Sequence, residues 1–328
     1  MSPTRVLTAS EVRTVLSPDL CLDIVESALR ADAEGKTIEA AVLGTHVPGG
    51  GFHVKTAGLQ LSRLYYAAKI NANFPGNPAK HGLPTIQGVI ALYDGTDGQL
   101  LALLDSGEIT TLRTAAMTAA AAKYLSREDS NCIAMLGCGI QARAHLNALA
   151  RLRNFTKAYV WDINGENAKY FAREMSDTLH FEVNAVSDYK QVTRDCDVVI
   201  TCTPSKQPIL DVADVSPGTF VGAVGTDNEE KSEITPALMA QSKVVVDVLD
   251  QCARIGDLHH AIDAGVMRKE DVYTTLPKVV AAGTNASNPG EIMLFDSTGT
   301  ALADVAAAAA VYEAALQSGA GVEVLLRD

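Results

Sequence analysis

The chain has 328 residues, 47% of them hydrophobic and 20% charged, with a formal net charge of −12 at neutral pH. Its length exceeds one ordinary hydrophobic core and predicts two domains. Its acidity, without a basic block or an RNA-type aromatic motif, excludes attraction to a phosphate backbone and argues against nucleic acid as a partner.

The first thirty residues include Arg5, Glu11, Arg13, Asp19, Asp23 and Glu26, which interrupt any signal-peptide core. A cytoplasmic protein is expected. Up to residue 115, Pro and Gly punctuate short strands such as "GFHVKTA", "YYAAKINAN" and "TIQGVIALYD". Residues 95–98, "GTDG", make a hairpin turn into "QLLALLD", so this part reads as α+β with an antiparallel sheet. "TTLRTAAMTAAAAKYLS" follows as one long helix. From residue 130 the pattern changes to strand–helix alternation: "NCIAMLG", "IQARAHLNALARL", "AYVWD", "GENAKYFAREM", "FEVNAV", a helical stretch at 188–194, "DVVITCT", "TFVGAVG" and "KVVVDV". Near-continuous apolar strands of this kind belong to a parallel sheet covered on both faces. A last helix at 301–317 is expected to pack back on the first domain, and its alanine run is too short to span a membrane. The fold class expected is α/β, a Rossmann-type doubly wound domain at 115–299 beside an α+β substrate-binding and dimerisation domain at 1–114 and 300–328. Six cysteines without a C-x-x-C pair read as reduced thiols rather than a disulfide framework or zinc site. Adjacent His259 and His260 point in different directions on a helix, so no metal is expected.

"MLGCGIQARAH" places Gly137-x-Gly139-x-x-Ala142 between a strand and a helix. In a dinucleotide fold the first glycine makes the turn, the second admits the pyrophosphate, and the third small residue lets the helix pack. A plain glycine turn is the alternative. The next strand ends in Asp162, where a carboxylate bonds an adenine ribose hydroxyl and repels a 2′-phosphate; with no arginine in the following "INGEN", NAD is favoured over NADP. A helix cap is the other reading of Asp162. Thr203 and Asp227 follow later strands, at the sheet edge where ligands bind. Asp227 is a candidate general acid or base if partly desolvated, or a cap ahead of "EEKSEI", and position does not separate the two.

Between residues 40 and 93 there is no Asp or Glu, yet His46, His53, Lys55, Arg63, Lys69, Lys80 and His81 fall there. That imbalance points to an anionic ligand. Lys69 and Lys55 lie within strand-like runs; Lys69 is either a lysine with a buried stem and a wet ammonium or a ligand contact. Arg113 offers a fork suited to a carboxylate, or an interdomain salt bridge.

Together, "KINANFPGNPAKHGLPTIQG", "TLRTAA", "GCGIQARAH", "VGTDNEEKSEI" and "FDSTGTAL" resemble the ornithine cyclodeaminase/μ-crystallin family, in order and over nearly the whole chain. The resemblance implies that Lys69 and Arg113 hold the substrate carboxylate and reacting region, that Asp227 handles the proton with Lys69 beside it, and that Thr298 lies near the substrate. It places Thr85, Arg113, Gly137, Gly139, Ile140, Gln141, Asp162, Thr203, Val224, Lys231 and Ser297 at the cofactor. A homodimer built through the first domain is also implied. One departure is the family's early substrate-binding arginine, which is replaced here by a segment offering His46, His53 and Lys55. The expected activity is NAD-dependent reduction of a small imino acid to an L-amino acid, with iminosuccinate to aspartate favoured by the positive segment. Ornithine cyclodeaminase, releasing ammonia and proline, and a non-catalytic crystallin-like binder of dinucleotide are the alternatives.

Overall fold

The computed structural model describes residues 3–326. In chain order its elements are β1 (Thr4–Leu7), α1 (Ala9–Val15), α2 (Pro18–Ala33), β2 (Thr37–Val47), β3 (Gly50–Gln60), β4 (Leu64–Asn73), α3 (Asn77–His81), β5 (Ile86–Asp94), β6 (Leu100–Asp105) and α4 (Ser106–Leu125). They continue with β7 (Cys132–Leu136), α5 (Ile140–Leu152), β8 (Lys157–Trp161), α6 (Gly165–Leu179), β9 (Glu182–Ala185), α7 (Lys190–Thr193), β10 (Val198–Thr201), β11 (Phe220–Ala223) and α8 (Pro236–Gln241). The chain closes with β12 (Lys243–Val246), α9 (Leu249–Ile255), α10 (Asp257–Asp263), β13 (Thr274–Thr275), α11 (Leu276–Ala282), β14 (Met293–Asp296), α12 (Ala301–Ser318) and β15 (Val322–Val324). Two compact units result, one from the chain up to Ala116 and again from Thr300, the other spanning Met117–Gly299.

The first unit is a seven-stranded sheet in the order β15-β1-β6-β5-β4-β3-β2, antiparallel except where β1 runs parallel to β6. Successive side chains on a strand point to opposite faces. In β4 this buries Tyr65, Ala67, Lys69 and Asn71 while Ile70 faces out. The covering element is α12, which packs on β3, β4 and β5 and against α2. Its run of alanines lets the helix backbone approach the sheet closely, and Ala301 to Ala309 are buried throughout. The hairpin at 95–98 joins β5 to β6 as the turn residues require. The long helix begins at Ser106, earlier than the expected 110, because Asp105 accepts the Glu108 N–H at 3.0 Å and caps it there.

The second unit is an eight-stranded, fully parallel sheet in the order β13-β12-β14-β11-β10-β7-β8-β9. The chain runs outward from β7 through β8 to β9, then returns to β10 on the other side of β7. That reversal puts a topological switch point between β7 and β10, the place where ligands bind in doubly wound sheets. The fold is thus α/β, with a Rossmann-type parallel sheet in one unit and an α+β arrangement in the other. The sequence reading has no strand at Met293–Asp296, yet β14 inserts between β11 and β12. Among the described residues no helix is long and apolar enough to cross a membrane.

Candidate functional site

In the first unit, the antiparallel register sets Lys55 directly opposite Lys69 and His53 opposite Asn71, all on one face. Like charges so placed repel. The compensating charge comes from α12: Asp304 Oδ2 lies 2.5 Å from Lys69 Nζ, and Asp304 Oδ1 accepts from Arg113 Nε at 2.9 Å. The side chains of Lys69, Arg113 and Asp304 are only 4%, 6% and 2% exposed. Lys69 is therefore no surface lysine with a wet ammonium, and the partner of Arg113 is a carboxylate of its own unit. Burial pushes the Lys69 ammonium down to about 7, Arg113 and Lys55 push the same way, and Asp304 opposes them. Burial pushes the Asp304 carboxyl up, but Arg113, Lys69 and Lys55 together outweigh it and hold the group below its ordinary range. Beside Lys69, Asn71 Oδ1 accepts from the buried Ser106 hydroxyl at 2.6 Å.

In the second unit, Gly137 follows β7 with φ +101°, and a Cβ there would stand 2.8 Å from the Cys202 carbonyl oxygen just after β10. Only glycine allows the two strand ends to meet at the switch point. Gly139 begins α5 with no side-chain cap and with open space where a Cβ would be. The positive end of α5 is thereby left for an anion, and the room suits a pyrophosphate. Asp162 Oδ2 accepts from Cys138 N at 3.0 Å and from Asn167 Nδ2 at 2.9 Å, while Oδ1 accepts from Asn164 N at 2.9 Å. Its carboxylate therefore sits against the glycine loop and orders the turn after β8 at once. An arginine does reach this loop from α5: Arg143 donates to Cys138 O at 2.9 Å, but Glu174 neutralises it at 2.6 Å. These residues fit a dinucleotide without a 2′-phosphate.

Farther along the same edge, buried carboxylates that the sequence reading does not single out tie the loops down. Thr203 donates to Glu233 Oε1 through N at 2.6 Å and Oγ1 at 2.8 Å, while Thr201 Oγ1 and Gly225 N donate to Oε2 at 2.7 and 2.8 Å. Burial raises the Glu233 carboxyl, and these donors restrain the rise. Asp247 accepts from Ser297 Oγ at 3.2 Å, from Thr298 N at 2.9 Å and Oγ1 at 3.1 Å, and from Gly299 N at 2.7 Å.

Ile140 opens α5 with 71% exposure, and Gln141 Oε1 is buried with no hydrogen-bond partner among the described residues. Val224 N donates to Thr201 O at 3.0 Å, and Thr85 O accepts from Phe74 N at 2.8 Å. Asp227 departs from expectation: its side chain is 47% exposed, lies 2.8 Å from Lys231 Nζ and accepts from Asn228 Nδ2 at 2.9 Å. It is not a desolvated carboxylate. It caps no helix either, because the next one, α8, is capped by Thr235. The acid-free segment is also less unbalanced than its composition suggests, since Arg63 pairs with Asp94 and Lys69 with Asp304. His259 lies 3.4 Å from Asp263, and the His260 ring pairs with the Lys231 carbonyl at 2.7 Å.

Asp304 was missed because it lies 191 residues from Arg113. The available signal is a carboxylate alone in the apolar helical sequence "ALADVAAAAA".

The family model described as the ornithine cyclodeaminase/mu-crystallin family matches residues 3–319. An alanine dehydrogenase of Archaeoglobus fulgidus is 34% identical over 98% of both chains, and a solved archaeal alanine dehydrogenase dimer with bound NAD superposes with a TM-score of 0.93 over 99% of each chain. The Thermococcus litoralis Δ1-pyrroline-2-carboxylate reductase in complex with NADH and L-proline is 31% identical, with a TM-score of 0.92 over 98% of this chain and 100% of that one. The iminosuccinate reductase of Paracoccus denitrificans is 30% identical over 97% of this chain and 99% of its own.

Proposed function

The chain belongs to the ornithine cyclodeaminase/mu-crystallin family, and from that premise we propose that it is an NAD-dependent reductase of a small anionic imino acid. The observation that carries this reading is the buried pair Lys69 and Arg113 on the carboxylate Asp304, with the half-buried Lys55 directly opposite Lys69. With Lys69 protonated, Lys69 and Arg113 outnumber that carboxylate by one, which suits an anionic imine such as iminosuccinate. The glycine loop, the uncapped start of α5 and Asp162 would hold NAD, with Thr203, Val224, Lys231, Ser297 and Thr85 as further contacts. When bound, the reduced nicotinamide supplies hydride to the imine carbon. The chain's own part is electrostatic. Arg113 and Lys55 neutralise carboxylate, and Lys69, poised near neutrality, both binds the anion and exchanges a proton with the substrate nitrogen. Asp227, half exposed beside Lys231, is the candidate for proton exchange with solvent.

The test is NADH absorbance followed with imines formed from oxaloacetate, pyruvate or glyoxylate and ammonia, beside ornithine with product analysis. NADH oxidation is expected, fastest with oxaloacetate. Oxidation with no imine, and proline formed from ornithine, would sink the reading in favour of a cyclodeaminase.

A homodimer belongs to the same proposal. The edge strand β2 exposes Ile38, Val42 and Leu43 at 44%, 44% and 64%, and an apolar edge of this length invites another strand. Leu43→Lys is expected to shift light-scattering mass from dimer to monomer; an unchanged mass removes β2 from the interface.

A further inference from the structure

Lys69 is acted on by Lys55 from β3, Arg113 from α4 and Asp304 from α12. The Cys21 thiol of α2 lies near Arg113, but burial pushes it up to about 12 and it stays neutral. Asp304 is thus the carboxylate of a cluster otherwise cationic, and it uses each oxygen once, Oδ2 on Lys69 Nζ and Oδ1 on Arg113 Nε. It meets the guanidinium at the inner nitrogen and not across the outer Nη edge, the edge that grips a carboxylate bidentately.

We propose that Asp304 is a positioning residue of this site, which fixes the orientation of Lys69 and Arg113 towards the substrate and sets the charge that Lys69 carries. The inference rests on the reading of Lys69 as a substrate-facing group. Without Asp304, a nine-tenths buried ammonium would face only Lys55 and Arg113, and repulsion with desolvation would strip its proton. Lys69 would then neither attract a carboxylate nor donate a proton at neutral pH. Asp304 also competes with substrate for the same cations, so its single charge is a compromise: enough to keep Lys69 protonated, too little to neutralise the cluster.

The experiment uses full-length protein labelled with [ε-13C]lysine, the Lys69 resonance being assigned by its loss in Lys69→Met. In the parent protein Lys69 is expected to titrate near neutrality, and in Asp304→Asn at least about one pH unit lower. The alkaline limb of kcat/KM for imine reduction should move the same way, while NADH binding, read by fluorescence, stays unchanged. Equal midpoints in the two proteins overturn the proposal. Should Asp304→Asn fail to fold, Asp304→Glu decides: it keeps the charge but displaces the oxygens, so Lys69 should still titrate near neutrality while kcat/KM falls by roughly tenfold or more. An unchanged kcat/KM there overturns the positioning role. The lysine titration needs no turnover, so a shifted midpoint in a protein that reduces no imine sinks the reductase reading alone, whereas turnover with an unshifted midpoint sinks the role of Asp304 alone.

Discussion

Both units bury carboxylates, and they stabilise them differently. In the first, Asp304 meets the full charges of Lys69 and Arg113 and stays ionised below its ordinary range. In the second, Glu233, Asp247, Asp257 and Asp296 meet backbone N–H groups, hydroxyls and one another. Asp257 Oδ1 accepts from Glu233 N at 2.9 Å and Ile234 N at 3.0 Å, and Asp296 accepts from Leu258 N at 2.9 Å and Asp257 N at 3.3 Å. Burial pushes Asp296 up to about 7 and Asp257 well above its ordinary range, with neighbouring carboxylates adding to both. Aligned dipoles order loops but do not replace a counter-charge. The first arrangement suits proton exchange with a ligand, and the second suits a fixed scaffold at the edge of a parallel sheet.

The largest expected effect tests the charge-for-charge arrangement. Asp304→Ala leaves Lys69 and Arg113 buried without their carboxylate, and removing one partner of such a group costs roughly 3–5 kcal/mol. Urea unfolding of parent and variant measures it. A loss below about 1 kcal/mol would mean that the cluster relaxes to water and that its burial is not maintained.

The two units should also answer pH with opposite signs. Asp296 has a folded value of about 7, above its ordinary 3.8, so the folded chain binds the extra proton between those values. Stability from this group is complete below about 4 and is lost as pH rises through about 7. Lys69, at about 7 against an ordinary 10.5, binds its proton better in the unfolded chain, so its contribution rises with pH across that window. Thermal midpoints at a series of pH values should show Asp296→Asn removing the decline between pH 4 and 7. A parent slope retained in the variant would assign that decline elsewhere.

What was legible in the sequence divides along the same line. Local periodicity reveals β4 but leaves Lys69 open between a wet ammonium and a ligand contact, and the structure decides it because Tyr65, Ala67, Lys69 and Asn71 share the buried face. The glycine loop is equally local: Gly137 needs a positive φ and Gly139 needs open space, and both demands fall within one turn of chain. Asp304 was hidden because helix spacing says nothing about which element a residue meets, 191 positions earlier in α4 or farther still in β4. β14 was hidden for a related reason, since only sheet order brings Met293–Asp296 between β11 and β12. β2 gave no alternation to read, being exposed along nearly its whole length. The Thr8 and Glu11 capping box that starts α1 is a local signal of the same kind, contained within four residues.

The smallest expected effect is the sharpest test of the difference between the units. Asp257→Asn preserves the oxygen that accepts from Glu233 N and Ile234 N, and it places an amide at Oδ2, an atom buried with no hydrogen-bond partner among the described residues. Because burial and the Asp296 carboxylate already drive Asp257 towards its neutral form, exchanging the acid for an amide removes little charge. The loss should stay within about 1 kcal/mol, the net worth of an ordinary hydrogen bond, and should shrink further above neutral pH, where the amide relieves repulsion with Asp296. Asp257→Ala, by contrast, orphans two buried N–H groups and should cost about 2–3 kcal/mol. If Asp257→Asn proved as damaging as Asp304→Ala, Asp257 would be ionised in the folded chain, and the contrast between counter-charge and dipole would fail at its clearest point.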